Sequence, residues 1–162
     1  MAADPTEPDQ ALPLHVRGLG QGTVGEVLDI ETVEATPERV VLRLPVTSKV
    51  HQPYGVLHGG VSALLAESAA SFGGAVSVPP GQSVVGIELN ASHLRPMTTG
   101  TLTAVATPVR KGRTIQVWDI ALTDDADRAI CRARCTLAVI ARPDQVGPDQ
   151  VGPGRPGPAG AG

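Results

Sequence analysis

The chain has 162 residues, enough for one domain with a real core. Its formal net charge of −3 speaks against nucleic acid as a partner, because that role calls for a basic domain. Apolar residues make up 41% and aromatic ones 2%, so the expected core is Val, Leu, Ile and Ala.

Residues 1–11 are acidic and proline-bearing and read as a disordered N-terminus. They carry neither a basic n-region nor an apolar h-region, so no signal peptide is expected. No apolar run approaches bilayer length, and we expect a cytoplasmic protein with no membrane partner. Residues 11–20 suggest a short helix ending in the glycine-rich GLGQG. Two strand-like runs follow, 24–33 and 39–46, separated by the turn signal ATPE. In the second run Val40, Leu42, Leu44 and Val46 alternate with Val41, Arg43 and Pro45, which predicts one buried face.

The stretch 51–74, HQPYGVLHGGVSALLAESAASFGG, opens with turn residues and then reads as one long helix. Val61, Leu64, Leu65, Ser68 and Phe72 recur at helical spacing and predict a mostly apolar, buried stripe. Gly60, Ala63, Glu67, Ala70, Ser71 and Gly74 fall on another, small-residue side. Glu67 is the only group on that side able to do acid–base or nucleophilic work. Pro79-Pro80-Gly81 then breaks the chain.

Four more strands are predicted, at 83–93, 100–109, 114–122 and 129–141, joined by RPMTTG, RKGR and TDDADR. Trp118 reads as a strand core residue, and Asp119, alternating with it, as either exposed or at a dimer rim. Cys131 and Cys135 would share a strand face without forming a CxxC, so reduced buried thiols are expected and no metal site. From Asp144 an imperfect five-residue repeat, each copy ending in Gly-Pro, forms a tail without core residues. The domain limits read as 1–11, 12–141 and 142–162: disordered start, folded domain, flexible tail. One helix and one antiparallel sheet of five or six strands make an α+β layer pair. A sheet of this size leaves part of the small-residue helix side bare, and a second copy of the chain is the simplest cover.

Three segments, QPYGVLHGGVSALLAES, VVGIELNASHLRP and GRTIQVWDI, resemble the hotdog-fold acyl-CoA thioesterases. The similarity is greatest to the branch with the enterobactin proofreading thioesterase and the menaquinone-pathway 1,4-dihydroxy-2-naphthoyl-CoA thioesterase. Phenylacetate-pathway and hydroxybenzoyl-CoA thioesterases are wider relatives. The resemblance spans roughly residues 12–141 and implies a long central helix wrapped by the sheet. It implies Glu67 as catalytic carboxylate, nucleophile or general base, and Gly59 as the amide that polarises the thioester carbonyl. Gln52 and His58 match residues that position the carbonyl and the sulfur side, and Ser71 a hydroxyl that orients water. Gly60 belongs to the same HGG segment and is expected to touch substrate. His93 and Arg95 match positions near the acyl group or the coenzyme A arm, and Arg113-Thr114 fall where relatives hold its phosphates. Some relatives carry Asp in place of Glu at the catalytic position. The implied function is hydrolysis of an aromatic, hydroxyaryl acyl-CoA. Proofreading on an aryl carrier protein and non-catalytic acyl-CoA binding are the alternatives. Coenzyme A would be part of the substrate, with no separate cofactor.

Physical reasoning supports these roles. A glycine-bearing helix start offers unpaired N–H groups and the positive end of the helix dipole to a developing oxyanion. Glu67 lies eight residues on, about 12 Å of helix rise, too far to meet the Gly59 amide at one carbon. The two groups must then come from different subunits, so a homodimer, itself expected to pair into a homotetramer, is the active form. Dull readings stand beside the functional ones. His58 serves equally as a helix cap, Gln52 as a turn residue, and Ser71 as a hydroxyl bonded back to its own helix. The basic turn Arg110, Lys111, Arg113 reads either as a phosphate contact or as a solvated tip.

Overall fold

A computed structural model describes residues 22–142. The expected helix at 11–20, the acidic N-terminus and the Gly-Pro tail lie outside the described residues.

The run 24–33 is not one strand. It divides into a one-turn helix, α1 (Val24–Val27), and a strand, β1 (Glu31–Ala35). Gly25 and Asp29 are poor strand formers, and Asp29 sits at φ 56°, reversing the chain between the two pieces. β2 (Val40–Val46) follows the expected turn. Val40, Leu42, Leu44 and Val46 are buried as the alternation predicts, but Val41 is buried too, at 6% exposure.

After β2 the chain forms a short 3-10 turn (Ser48–Val50) and then α2 (Gly59–Ser77). α2 ends where Pro79 disfavours helix at the residue before it, and Val78 is extended at φ −101°, ψ 150°. Four strands complete the fold: β3 (Gln82–His93), β4 (Gly100–Lys111), β5 (Ile115–Thr123) and β6 (Ala129–Ala141). They lie within three residues of the predicted boundaries. All pairings are antiparallel, in the order β1-β2-β4-β5-β6-β3. α2 therefore carries the chain from β2 across the sheet to its far edge, where β3 is the outermost strand. This is the hotdog arrangement, one long helix on a six-stranded antiparallel sheet.

The core is the layer between α2 and the sheet. Alternate residues of the central strands supply one wall: Leu102 and Ala104 of β4, Trp118 and Ile120 of β5, Cys135 and Leu137 of β6. Cys131 and Cys135 are free and fully buried on one face, and burial, before any nearby charge, pushes the Cys135 thiol up to about 11.

The face of α2 that packs on this wall differs from the expected one. Its buried residues are Ser62, Leu65, Ala66, Ala69, Ala70, Gly73 and Gly74, while Val61, Leu64, Ser68 and Phe72 are only partly covered. Steric fit decides the rotation. A Cβ on Gly73 would come within 2.9 Å of Trp118 Cζ2, and one on Gly74 within 2.6 Å of Leu137 Cδ1. The helix thus lies close on the bulky sheet side chains through its smallest residues. Leu64 and Phe72 turn away, towards the side that carries Glu67.

Candidate active site

The start of α2 is fixed by His58. Its ring Nδ1 accepts a hydrogen bond from the Gly60 N–H at 2.9 Å, so it is the helix cap. The His58 carbonyl accepts from the Val61 and Ser62 amides at 2.9 and 3.4 Å. A helix opens with four N–H groups that have no partner within it. Three of these four are taken here, and among the described residues the amide of Gly59 has none. Gly59 is also pressed against β3, since a Cβ on it would lie 2.8 Å from His93 Nε2. The His58 ring explains Gly60 in the same way: a Cβ there would stand 3.0 Å from Nδ1.

Eight residues further on, Glu67 opens onto a groove of about 530 Å³. Gly60, Ala63, Leu64, Ser68, Ser71 and Phe72 of α2 line it with Glu67, and Leu89 of β3 forms the opposite wall. Glu67 is exposed in the single chain, and its side chain reaches β3 at Gly86. The groove is mostly apolar or small-walled, with one carboxylate and two hydroxyls.

The expected site residues fall into separate groups. Gly60, Glu67 and Ser71 share the groove, while Gly59, His58 and His93 meet at the helix start. Gln52 lies in the preceding turn, where its side-chain oxygen accepts from the Tyr54 N–H at 2.8 Å. Arg95 is exposed just beyond β3, its amide donating to the Ile130 carbonyl. Arg113 and Thr114 are exposed at the β4–β5 turn, and the Thr114 carbonyl accepts from Val139. In the same turn Lys111 is held by Glu38 at 3.2 Å and by the Pro37 carbonyl at 2.9 Å. Trp118 is fully buried and Asp119 is exposed, bonded to Arg134 at 2.8 Å.

Leu64, Ser68, Phe72, Leu89 and Gly86 belong to this region and were not singled out as site residues. Gly86 had a readable signal, because a lone glycine inside a strand marks a bulge or a close backbone approach. Among the described residues no helix is long and apolar enough to cross a membrane.

A family model described as "Thioesterase superfamily" matches residues 54–131. The 1,4-dihydroxy-2-naphthoyl-CoA hydrolase of Listeria monocytogenes is 47% identical over 114 residues, covering 70% of this chain and 93% of that protein. The proofreading thioesterase EntH of Cronobacter turicensis is 40% identical over 119 residues, covering 74% and 87%. Among solved structures, a thioesterase of Haemophilus influenzae superposes with a TM-score of 0.73 at 41% identity, covering 76% of this chain and 86% of that one.

Proposed function

Because the chain belongs to the thioesterase superfamily and is a thioester hydrolase, we propose that it cleaves aromatic, hydroxyaryl acyl-CoA thioesters to the free acid and coenzyme A. The observation that carries this reading is the groove beside α2, where Glu67 stands alone among Leu64, Phe72, Leu89 and small residues. Such a slot suits a flat apolar acyl group with its carbonyl at the carboxylate. The names of the relatives make 1,4-dihydroxy-2-naphthoyl-CoA the first substrate to try.

In the proposed reaction Glu67 takes a proton from water, and the water oxygen adds to the carbonyl carbon. Direct attack by the carboxylate is the variant route, through an anhydride that water then opens. Either way charge builds on the carbonyl oxygen, and the unpaired Gly59 amide, at the positive end of α2, is the donor proposed to meet it. Collapse of the adduct breaks the C–S bond, and the coenzyme A thiolate leaves and takes up a proton. His58 and Gln52 are proposed to position the thioester and Ser71 the water, with Gly60 and His93 against the acyl end. Arg95, Arg113 and Thr114 are proposed to contact the coenzyme A arm, whose phosphates need cations on this acidic chain. Coenzyme A enters as part of the substrate, and no cofactor is invoked.

The Gly59 amide and the Glu67 carboxylate are proposed to meet across a homodimer, two of which pair as a tetramer. β3 supports this, since it is an edge strand with Val85 and Ile87 exposed at 43% and 56%.

The test is kcat/KM over a panel of aryl and saturated acyl-CoA thioesters, with Glu67→Gln as reference. Aryl substrates are expected to be preferred, and Glu67→Gln to lower kcat/KM by about 100- to 10,000-fold. Equal values for palmitoyl-CoA and benzoyl-CoA would sink the aryl assignment, and an unimpaired Glu67→Gln the catalytic one. The likeness to the proofreading enzyme favours a second substrate form, the aryl carrier-protein thioester, which the same panel should include.

A further inference from the structure

β3 contains a single glycine, Gly86, near its middle. Glycine in a strand packs nothing and costs chain entropy, so its presence asks for a local reason. Backbone conformation is not that reason, because Gly86 is outside the left-handed region. The space its side chain would fill belongs to Glu67. A Cβ on Gly86 would collide with Glu67 Oε1 and stand 3.1 Å from Cδ and 3.6 Å from Cγ. The strand is irregular at the same point: Gly86 pairs with Leu137 and Glu88 with Thr136, leaving Ile87 as an extra residue. A bulge of this kind bends an edge strand and re-aims what lies beside it.

We propose that Gly86 is a positioning residue for the thioester hydrolysis: the bulged, side-chain-free point of β3 is a seat that holds the Glu67 carboxylate against the sheet edge. The inference rests on the reading of Glu67 as base or nucleophile. A glutamate on an open groove wall has three side-chain torsions to distribute, and the seat removes the freedom of its end. A displacement of about 1 Å at a reacting group is enough to cost about 100-fold in rate.

Gly86→Ala is the test, measured as kcat, KM and thermal unfolding, with Glu67→Gln and Glu67→Asp as backgrounds. Alanine is compatible with strand backbone, and the group it strikes is a side-chain end that the new methyl can push out towards the groove, so the variant is expected to fold with Tm unchanged or higher. Its kcat is expected to fall by about 10- to 100-fold with KM within about threefold. Aspartate is one methylene shorter and retreats from the new methyl, so in the Glu67→Asp background the same change should cost far less. Wild-type kcat in Gly86→Ala, with Glu67→Gln inactive, overturns the seat and leaves the catalytic reading intact. An equal loss in both backgrounds, or a loss that tracks a lowered Tm, also overturns it. Full activity in Glu67→Gln removes the catalytic reading and the seat together.

Discussion

His58 is asked to do two things at once. Its Nδ1 accepts from the Gly60 N–H, so in the neutral ring the proton lies on Nε2, and that nitrogen is the donor left for a substrate. Capping and positioning separate by substitution. His58→Ala loses the cap and should cost about 0.5–2 kcal/mol in denaturant unfolding. His58→Asn supplies another side chain suited to the cap and should recover most of that stability while kcat/KM stays low. Recovery of both would reduce His58 to a cap. At this scale the residues were largely legible: HGG marked the helix start, and Glu67 stood out as one carboxylate among small neighbours. Which amide stays free was legible only through the family resemblance, which pointed to Gly59, and not from the residues themselves. That depends on the ring of His58 turning back onto Gly60, a side-chain geometry that composition does not encode.

Among the elements, β2, β4, β5 and β6 were legible because their residues alternate against a buried layer, which fixes both period and inward face. β3 has no fully buried residue, and the Pro79-Pro80-Gly81 break marked its start instead. β1 was not legible, since Val24 and Val27, which made the run look strand-like, belong to an exposed turn of helix that buries nothing. The rotation of α2 was missed for another reason. A hydrophobicity stripe assumes that larger side chains go inward, but the sheet already presents Trp118, Leu137 and Ile120, and the helix meets them with Gly73, Gly74 and alanines. Gly73→Ala tests this directly. In a solvent-exposed helix the change would gain about 1 kcal/mol of helix propensity. Here the new methyl meets a fully buried indole whose Nε1 donates to Gln116 Oε1 at 3.0 Å, so the ring has little freedom to move aside. Overpacking of about 1–3 kcal/mol should outweigh the propensity gain. A lowered Tm is therefore expected, and a raised one would mean that the indole yields.

Assembly is the scale at which one chain's sequence is least informative, because the groups that react need not share a chain. Gly59 and Glu67 are separated by about two turns of one helix, a rise of about 12 Å that a glutamate side chain does not span. The groove beside Glu67 is open, and the edge strand next to it ends the sheet with exposed Val85 and Ile87. A two-fold partner would complete both features at once, and two-fold symmetry would make two equal sites. The prediction follows from counting lesions. Glu67→Gln disables one half of each site and His58→Asn the other half, so either homodimer has none intact. If the halves come from different subunits, a mixed dimer puts both lesions in one site and leaves the second unharmed. Random co-assembly makes about half the dimers mixed, so activity should return to about a quarter of wild type. If Glu67 and the helix start of the same chain work together, every site in the mixture carries a lesion, and co-assembled protein will do no better than the average of its parents.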